Sequence, residues 1–265
     1  MSRTSNASGT SRADVPLAGP DRSERVREMF ARIVPRYDLM NRLMTGAQDV
    51  RWRSIAARAA QPYGAHALDL ATGTGDLAIE LARQGARYVV AVDYCEPMLA
   101  AARPKVRHAR LTNVQLALAD ASALPFADAA FDSVTSGFLL RNVVDLPRCL
   151  AEMCRVLRPG GRAVALELTH RPDGLLSPFL RAYFRFVVPR VGGLISGDAG
   201  AYRYLPSSLD PFPDADRLAS LFRQVGFDRV EYRRLGLGTV AVHVATTGED
   251  APVSTARDSA RSPTV

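Results

Sequence analysis

Lysine is nearly absent from this 265-residue chain: Lys105 is the single one among 34 Lys and Arg residues. Cysteine is scarce as well. Cys95, Cys149 and Cys154 form no C-x-x-C pair and, being three, cannot all join in disulfides, which points to a reducing cytoplasm with buried or idle thiols. Long apolar runs are missing too. The longest stretch without a charged residue, Leu235 to Gly248, contains Gly, Thr and His, whereas a spanning helix needs about 20 mostly apolar residues, so no membrane crossing is expected. The first twenty residues have no apolar h-region, which argues against secretion. Cys, His, Asp and Glu nowhere cluster at metal-ligand spacing and there is no nucleophile elbow, so no metal site is expected and hydrolase chemistry is set aside.

What remains is an ordinary globular mixture, 47% hydrophobic and 23% charged, sized for one large domain or two small ones. The net charge of +7 rests on arginines that are scattered rather than striped. That distribution argues against nucleic acid and favours an anionic membrane surface or an acidic ligand.

Residues 1–21 and 249–265 are rich in Ser, Thr, Ala, Pro and Gly, lack aromatics, and are expected to be disordered tails around one domain over 22–248. Its N-terminal part, 22–62, reads as helices. Val26, Met29, Phe30 and Ile33 recur at helical spacing up to Pro35, a second helix starts at Tyr37, and a third covers 54–60. Beyond Gly64, strands (67–70, 88–92, 114–118, 131–136, 163–168) alternate with helices (76–84, 96 to about 103, 146–157). That rhythm predicts an α/β fold with a mostly parallel sheet and helices on both faces. The last two strands, 228–234 and 238–247, are joined by Leu235-Gly236-Leu237-Gly238 and predict an antiparallel hairpin that ends the sheet in a reversed edge strand.

The segment Leu68-Asp69-Leu70-Ala71-Thr72-Gly73-Thr74-Gly75-Asp76 places Gly73 and Gly75 between a strand and a helix, where a missing Cβ lets a ligand approach the backbone. Asp93 closes the second strand, where a carboxylate accepts from both hydroxyls of a ribose. Two cofactors compete for such a nucleoside site. A dinucleotide pyrophosphate wants a bare helix N-terminus, but Asp76 stands there and Asp69 ends the strand. Both acids suit instead the ammonium and sulfonium of S-adenosylmethionine. Farther on, Asp120 offers an acceptor to the adenine amine and Ala121 leaves room for the ring.

Several pieces then occur in order: Glu28-Met29-Phe30, Arg36-Tyr37-Asp38-Leu39-Met40-Asn41, the turn Asp69–Asp76, Ala123-Leu124-Pro125-Phe126, Leu140-Arg141-Asn142-Val143, Arg155-Val156-Leu157-Arg158-Pro159-Gly160-Gly161, Tyr202-Arg203-Tyr204-Leu205-Pro206, Phe212-Pro213-Asp214 and Gly238-Thr239-Val240-Ala241-Val242-His243. In these the chain resembles the ubiquinone/menaquinone biosynthesis C-methyltransferases (UbiE type) over about 24–246. The resemblance implies a class I, Rossmann-like S-adenosylmethionine-dependent methyltransferase fold with a seven-stranded sheet. It implies methylation of a ring carbon of a prenylated hydroquinone, demethylmenaquinol above all. Carried over position by position, it places the cofactor against Thr74, Asp93, Asp120, Ala121 and Ser136. The family usually has Asn at the position of Asp120, and Asp still offers adenine an acceptor. It usually has Gly where this chain has Leu139 or Leu140, and leucine there narrows the pocket.

Methyl transfer to an aromatic carbon asks for alignment and for help in deprotonating a phenol, whose pKa is about 10. Arg141 is the candidate to stabilise phenolate or orient a proton-accepting water, and Asn142 to orient the ring hydroxyl; both are alternatively loop anchors. Tyr37 either closes the pocket or packs against Trp52. The four histidines, His66, His108, His170 and His243, fall in no promising motif. Residues 171–211 are too rich in Tyr, Phe, Leu and Arg for a plain crossover. They read either as a helix packed on the sheet or as a cap that accepts the prenyl tail. The expected partners are a prenylated quinol, the membrane surface on the cytoplasmic side as a peripheral contact, and, left open, a second copy in a homodimer. Three other readings stay open: methylation of another phenolic or polyketide-like metabolite, an NAD-type oxidoreductase, and a non-catalytic nucleotide-binding module.

Overall fold

The structure is a computed structural model that describes residues 22–170 and 208–249. The tails and most of the 171–211 segment, to which the sequence reading assigns disorder and tail capping, lie outside the described residues.

Helices α1 (Arg22–Ile33), α2 (Tyr37–Thr45) and α3 (Gln48–Ala59) open the chain. Alternating elements follow: β1 (His66–Leu70), α4 (Asp76–Arg83), β2 (Tyr88–Asp93), α5 (Glu96–His108), β3 (Val114–Leu118), β4 (Phe131–Gly137), α6 (Leu146–Arg155) and β5 (Leu157–Leu168). Then come α7 (Ala215–Gln224), β6 (Arg229–Leu235) and β7 (Val240–Thr246).

The seven strands form one sheet in the order β3-β2-β1-β4-β5-β7-β6. Strands β1 to β5 pair in parallel, and β7 runs antiparallel to both its neighbours. The hairpin lies at the edge as the sequence predicts, but the reversed strand is the penultimate one and β6 is the edge. Pairing on both sides gives β7 a buried, nearly continuous apolar run, Val240 to Val242 and Ala245, while β6 alternates with charge. Burial on two sides favours such a run, and an edge strand is protected by charged residues.

Strand periodicity divides the core into two layers. Ala67, Val89, Ala91, Val164 and Leu166 join α3 and α4 on one face. Leu68, Leu70, Val134, Ala163 and Ala165 join α6 and α7 on the other. A third, small cluster of Val26, Met29, Ile33 and Met40 holds α1 to α2, with Phe30 and Tyr37 packed on it. Trp52 belongs to the layer under α3, not to this cluster. Among the described residues no helix is long and apolar enough to cross a membrane.

Four boundaries differ from the sequence reading. Helix α3 begins at Gln48 rather than 54, and α6 stops at Arg155. Strand β5 starts at Leu157 and carries Pro159-Gly160-Gly161 within it, where its register against β4 shifts between Phe131 and Ser133. Helix α5 passes through Pro104 instead of stopping before it, because Ala102 and Val106 on either side are buried. Helix α7, capped by the Asp214 side chain accepting from the Arg217 N–H at 2.8 Å, has no counterpart in the sequence reading.

Candidate active site

Strand order reverses between β2-β1 and β4, so the carboxyl ends of these strands diverge and leave a crevice, the usual ligand position of open α/β sheets. A cavity of about 450 Å³ occupies it, and it reaches under α1 and α2. Of the residues singled out by sequence, Tyr37, Gly73, Asp93, Asp120, Ala121 and Asn142 line it. Asp69, Thr74, Gly75, Ser136 and Arg141 do not.

The floor is strained in two places. Ala71 after β1 and Phe138 after β4 both adopt positive φ, +50° and +62°, and both face the cavity. Such conformations cost on the order of 1–3 kcal/mol for residues with a Cβ and persist where surrounding contacts enforce them. Gly73, at φ +57°, turns the chain so that its N–H donates to Asp93 Oδ2 at 2.7 Å. The Cys95 N–H donates to Asp93 Oδ1 at 2.8 Å. Both carboxylate oxygens are thereby aimed, and each keeps a lone pair for a ligand hydroxyl. Burial raises the Asp93 pKa, partly opposed by its backbone N–H donors.

Asp120, exposed at the rim, accepts from the Ser122 N–H at 2.8 Å, and buried Ala121 lies beside it. On the α1 side Val26, Arg27 and Phe30 complete the wall, with Phe30 edge-on to Tyr37 at 6.1 Å between ring centroids. Tyr37 lines the cavity and packs on the small α1–α2 cluster, whereas Trp52 belongs to the layer under α3. Sequence reasoning missed Phe30 and Phe138 as cavity residues. The amphipathic stripe of α1 contains the first, but its buried face is shared between core and cavity; nothing local marks the second.

The sequence reading sets Asp69 and Asp76 at the cationic end of the cofactor, but neither carboxylate faces the cavity. Asp69 is 1% exposed and accepts from the hydroxyls of Thr72 and Thr135, both at 2.7 Å. Burial pushes its pKa up to about 6 against those two hydrogen bonds. It braces the turn from beneath. For Asp76, burial would raise the pKa, but hydrogen bonds from Lys105 and Arg42 outweigh it and hold the carboxyl below its usual value. The Thr74 hydroxyl donates to Asp38 Oδ1 at 2.6 Å, on the outer side of the turn. Gly75, at φ +87°, lets Ala102 of α5 pack against the turn, since a Cβ would stand 3.3 Å from the Ala102 Cβ. Ser136 Oγ is buried and, among the described residues, has no hydrogen-bond partner.

Arg141 likewise does not reach the cavity. Its guanidinium forms an ion pair with buried Glu167, donates to the Phe138 carbonyl at 3.1 Å, and lies 5.6 Å from the Phe138 ring centroid. The Asn142 amide donates to that same carbonyl at 2.9 Å. The phenolate contact expected of Arg141 is replaced by a loop frame, because the carboxylate one strand away already neutralises the charge. Of the histidines, His243 is buried with Nε2 2.9 Å from the Ala215 carbonyl oxygen, and burial lowers its pKa. His170 meets the Phe212 carbonyl oxygen at 2.9 Å.

This sheet order, with a glycine turn after β1 and an acid after β2, defines the Rossmann-like fold of class I S-adenosylmethionine-dependent methyltransferases. The cyclase SpnF superposes with a TM-score of 0.63 at 19% identity, covering 89% of this chain and 99% of that one. A SAM-dependent methyltransferase from Aquifex aeolicus gives 0.57 at 17%, covering 79% and 97%. At such identities the likeness shows the fold alone. The model of the ubiE/COQ5 methyltransferase family matches residues 20–247. A demethylmenaquinone methyltransferase from Thermus thermophilus is 48% identical over 218 residues, 82% of this chain and 98% of its own. A ubiquinone/menaquinone biosynthesis C-methyltransferase UbiE from Desulfotalea psychrophila is 44% identical over 220 residues, covering 82% and 88%. The chain belongs to the ubiE/COQ5 methyltransferase family, and it is an S-adenosylmethionine-dependent methyltransferase.

Proposed function

We propose that this enzyme methylates a ring carbon of a prenylated hydroquinone in quinone biosynthesis, with demethylmenaquinol as the substrate. The reading is carried by the identity to the Thermus thermophilus demethylmenaquinone methyltransferase along nearly that protein's whole length. The cavity supports it. An adenosine moiety fits a site with aimed carboxylate oxygens at Asp93, an acceptor at Asp120, and small or apolar Ala119, Ala121 and Met98 between them. Bound there, S-adenosylmethionine supplies an electrophilic methyl group on a sulfonium sulfur. Asp93 would take the ribose hydroxyls, Asp120 the adenine amine, and the turn at Gly73 the methionyl end.

On the acceptor side, Tyr37 and Asn142 are the polar groups that orient a ring hydroxyl. Deprotonating that hydroxyl drives electron density onto the adjacent ring carbon. Arg141 serves this arrangement through the loop: with Glu167 it holds the Phe138 carbonyl, the strained backbone and Asn142 in register. Because the prenyl tail resides in the bilayer, the enzyme meets its substrate as a peripheral contact on the membrane surface.

A ubiquinone precursor is the second reading, since the Desulfotalea psychrophila relative is named for both quinones. Purified protein incubated with methyl-tritiated S-adenosylmethionine should label demethylmenaquinol, with the label on a ring carbon by mass spectrometry. Preferential labelling of a demethylubiquinol-type ring would move the substrate to the second reading. Labelling of neither would remove the quinol assignment.

A further inference from the structure

The only lysine of the chain sits at a junction of three elements. Lys105 Nζ, on α5, donates to Asp38 Oδ2 of α2 at 2.7 Å and to Thr74 Oγ1 of the glycine turn at 3.1 Å. Its third contact is Asp76 Oδ1, in the first turn of α4. The three protons of an ammonium are thus all used. Asp38 accepts from Thr74 with its other oxygen, at 2.6 Å. Arg42, one turn along α2, takes the other oxygen of Asp76 at 2.7 Å. Without the lysine, Asp38 and Asp76 would lose their shared cation, and Arg42–Asp76 would be left as the charged tie of α2 to the start of α4.

The residue next to Asp38 is Tyr37, whose ring lies against Gly73: a Cβ built there would be 3.9 Å from Tyr37 Cε1. Asp93 therefore aims the turn from the cavity side and the Lys105 cluster holds it from the outer side. The same cluster fastens the helix that carries Tyr37, part of the cavity wall. We infer that Lys105 is a positioning residue for the cofactor: by clasping α2 to the glycine turn it keeps the α1–α2 wall closed over the cavity and slows escape of the bound nucleoside. This inference rests on the cofactor reading of the cavity given above. The pairs are only partly buried, with Lys105 and Asp38 side chains 30% and 37% exposed, so salt screens the clasp.

The test uses the full-length protein and S-adenosylhomocysteine as probe, by calorimetry and by displacement kinetics at low and high salt. Lys105→Met keeps length and removes charge. It should weaken binding about tenfold, mostly through faster dissociation, as expected when a coupling across a two-position element is lost. In the wild type, dissociation should quicken with salt; in Lys105→Met it should be fast and much less salt-dependent, since only the Arg42–Asp76 pair is left to screen. Lys105→Arg, which keeps the charge, should stay within about threefold of wild type. A Lys105→Met protein that melts lower yet binds and releases the probe like wild type would reduce the lysine to a structural brace and overturn the inference. Where Lys105→Met does not fold, Asp38→Asn gives the same reading, and unchanged affinity and release in that variant overturn it equally. Wild-type protein that fails to bind the probe overturns the cofactor reading itself; wild-type binding with unaffected variants overturns only the role of Lys105.

Discussion

Two aspartates at neighbouring strand ends show how differently one side chain is used. Asp93 is held by two backbone N–H groups and faces the cavity; Asp69 is held by two hydroxyls and faces none. Asp93→Ala should weaken cofactor binding by roughly 10- to 150-fold while the fold survives, since a charge-assisted contact of this type is worth on the order of 1.5–3 kcal/mol. Calorimetric affinity close to wild type would remove Asp93 from the site. For Asp69 the consequence appears in stability. Its folded pKa of about 6 lies above the ordinary carboxylate value of 3.8. Between these values the folded chain keeps a proton that the unfolded chain has lost, so stability falls as pH rises through the window. Relative to Asp69→Asn, which cannot ionise, the wild type should lose about 1 kcal/mol between pH 5 and pH 7 in urea unfolding. A gap between the two proteins that does not change with pH would mean that Asp69 titrates normally.

Among the elements, α5 carries the clearest local conflict. Pro104 lies inside it and cannot donate to the carbonyl one turn earlier, and the helix continues because both flanking turns are packed. An interior proline costs about 3 kcal/mol, and replacing it returns about 0.4–1 kcal/mol of unfolded-state freedom. Pro104→Ala should therefore stabilise the protein by roughly 2 kcal/mol, read as a higher urea midpoint at unchanged slope. A destabilised Pro104→Ala would show that the proline itself is needed there, one residue before Lys105 reaches Asp38. Elsewhere local signals sufficed. Gly73 and Gly75 mark the strand-to-helix turn.

For the molecule as a whole, charge and substrate point to the same surface. On the proposed membrane contact, a net charge of +7, arginine-borne, would be drawn to anionic lipid at about 1 kcal/mol per residue close to the bilayer. The protein should sediment with vesicles containing phosphatidylglycerol, not with pure phosphatidylcholine, and raising salt to about 0.5 M should release it. Equal sedimentation with both vesicle types, or with neither, would count against electrostatic docking.

The α/β class, the strand sequence and the cofactor turn were legible in the chain because each rests on short-range physics: period-two burial, positive-φ glycines, and an acid at a strand end. Gly73 and Asp93 follow from that pattern and line the cavity; Asp120 and Ala121, singled out on the loop after β3, line it too. Other outcomes depended on groups distant in sequence. Asp76 looked free for a cation until Arg42 and Lys105 reached it from α2 and α5, and Arg141 looked free for phenolate until Glu167 met it from the next strand. The reversed strand became penultimate through its pairing with β5. No local pattern records which charges will be neutralised or which edge will be covered, because both follow from the surfaces that folding brings together, and these only the tertiary structure decided.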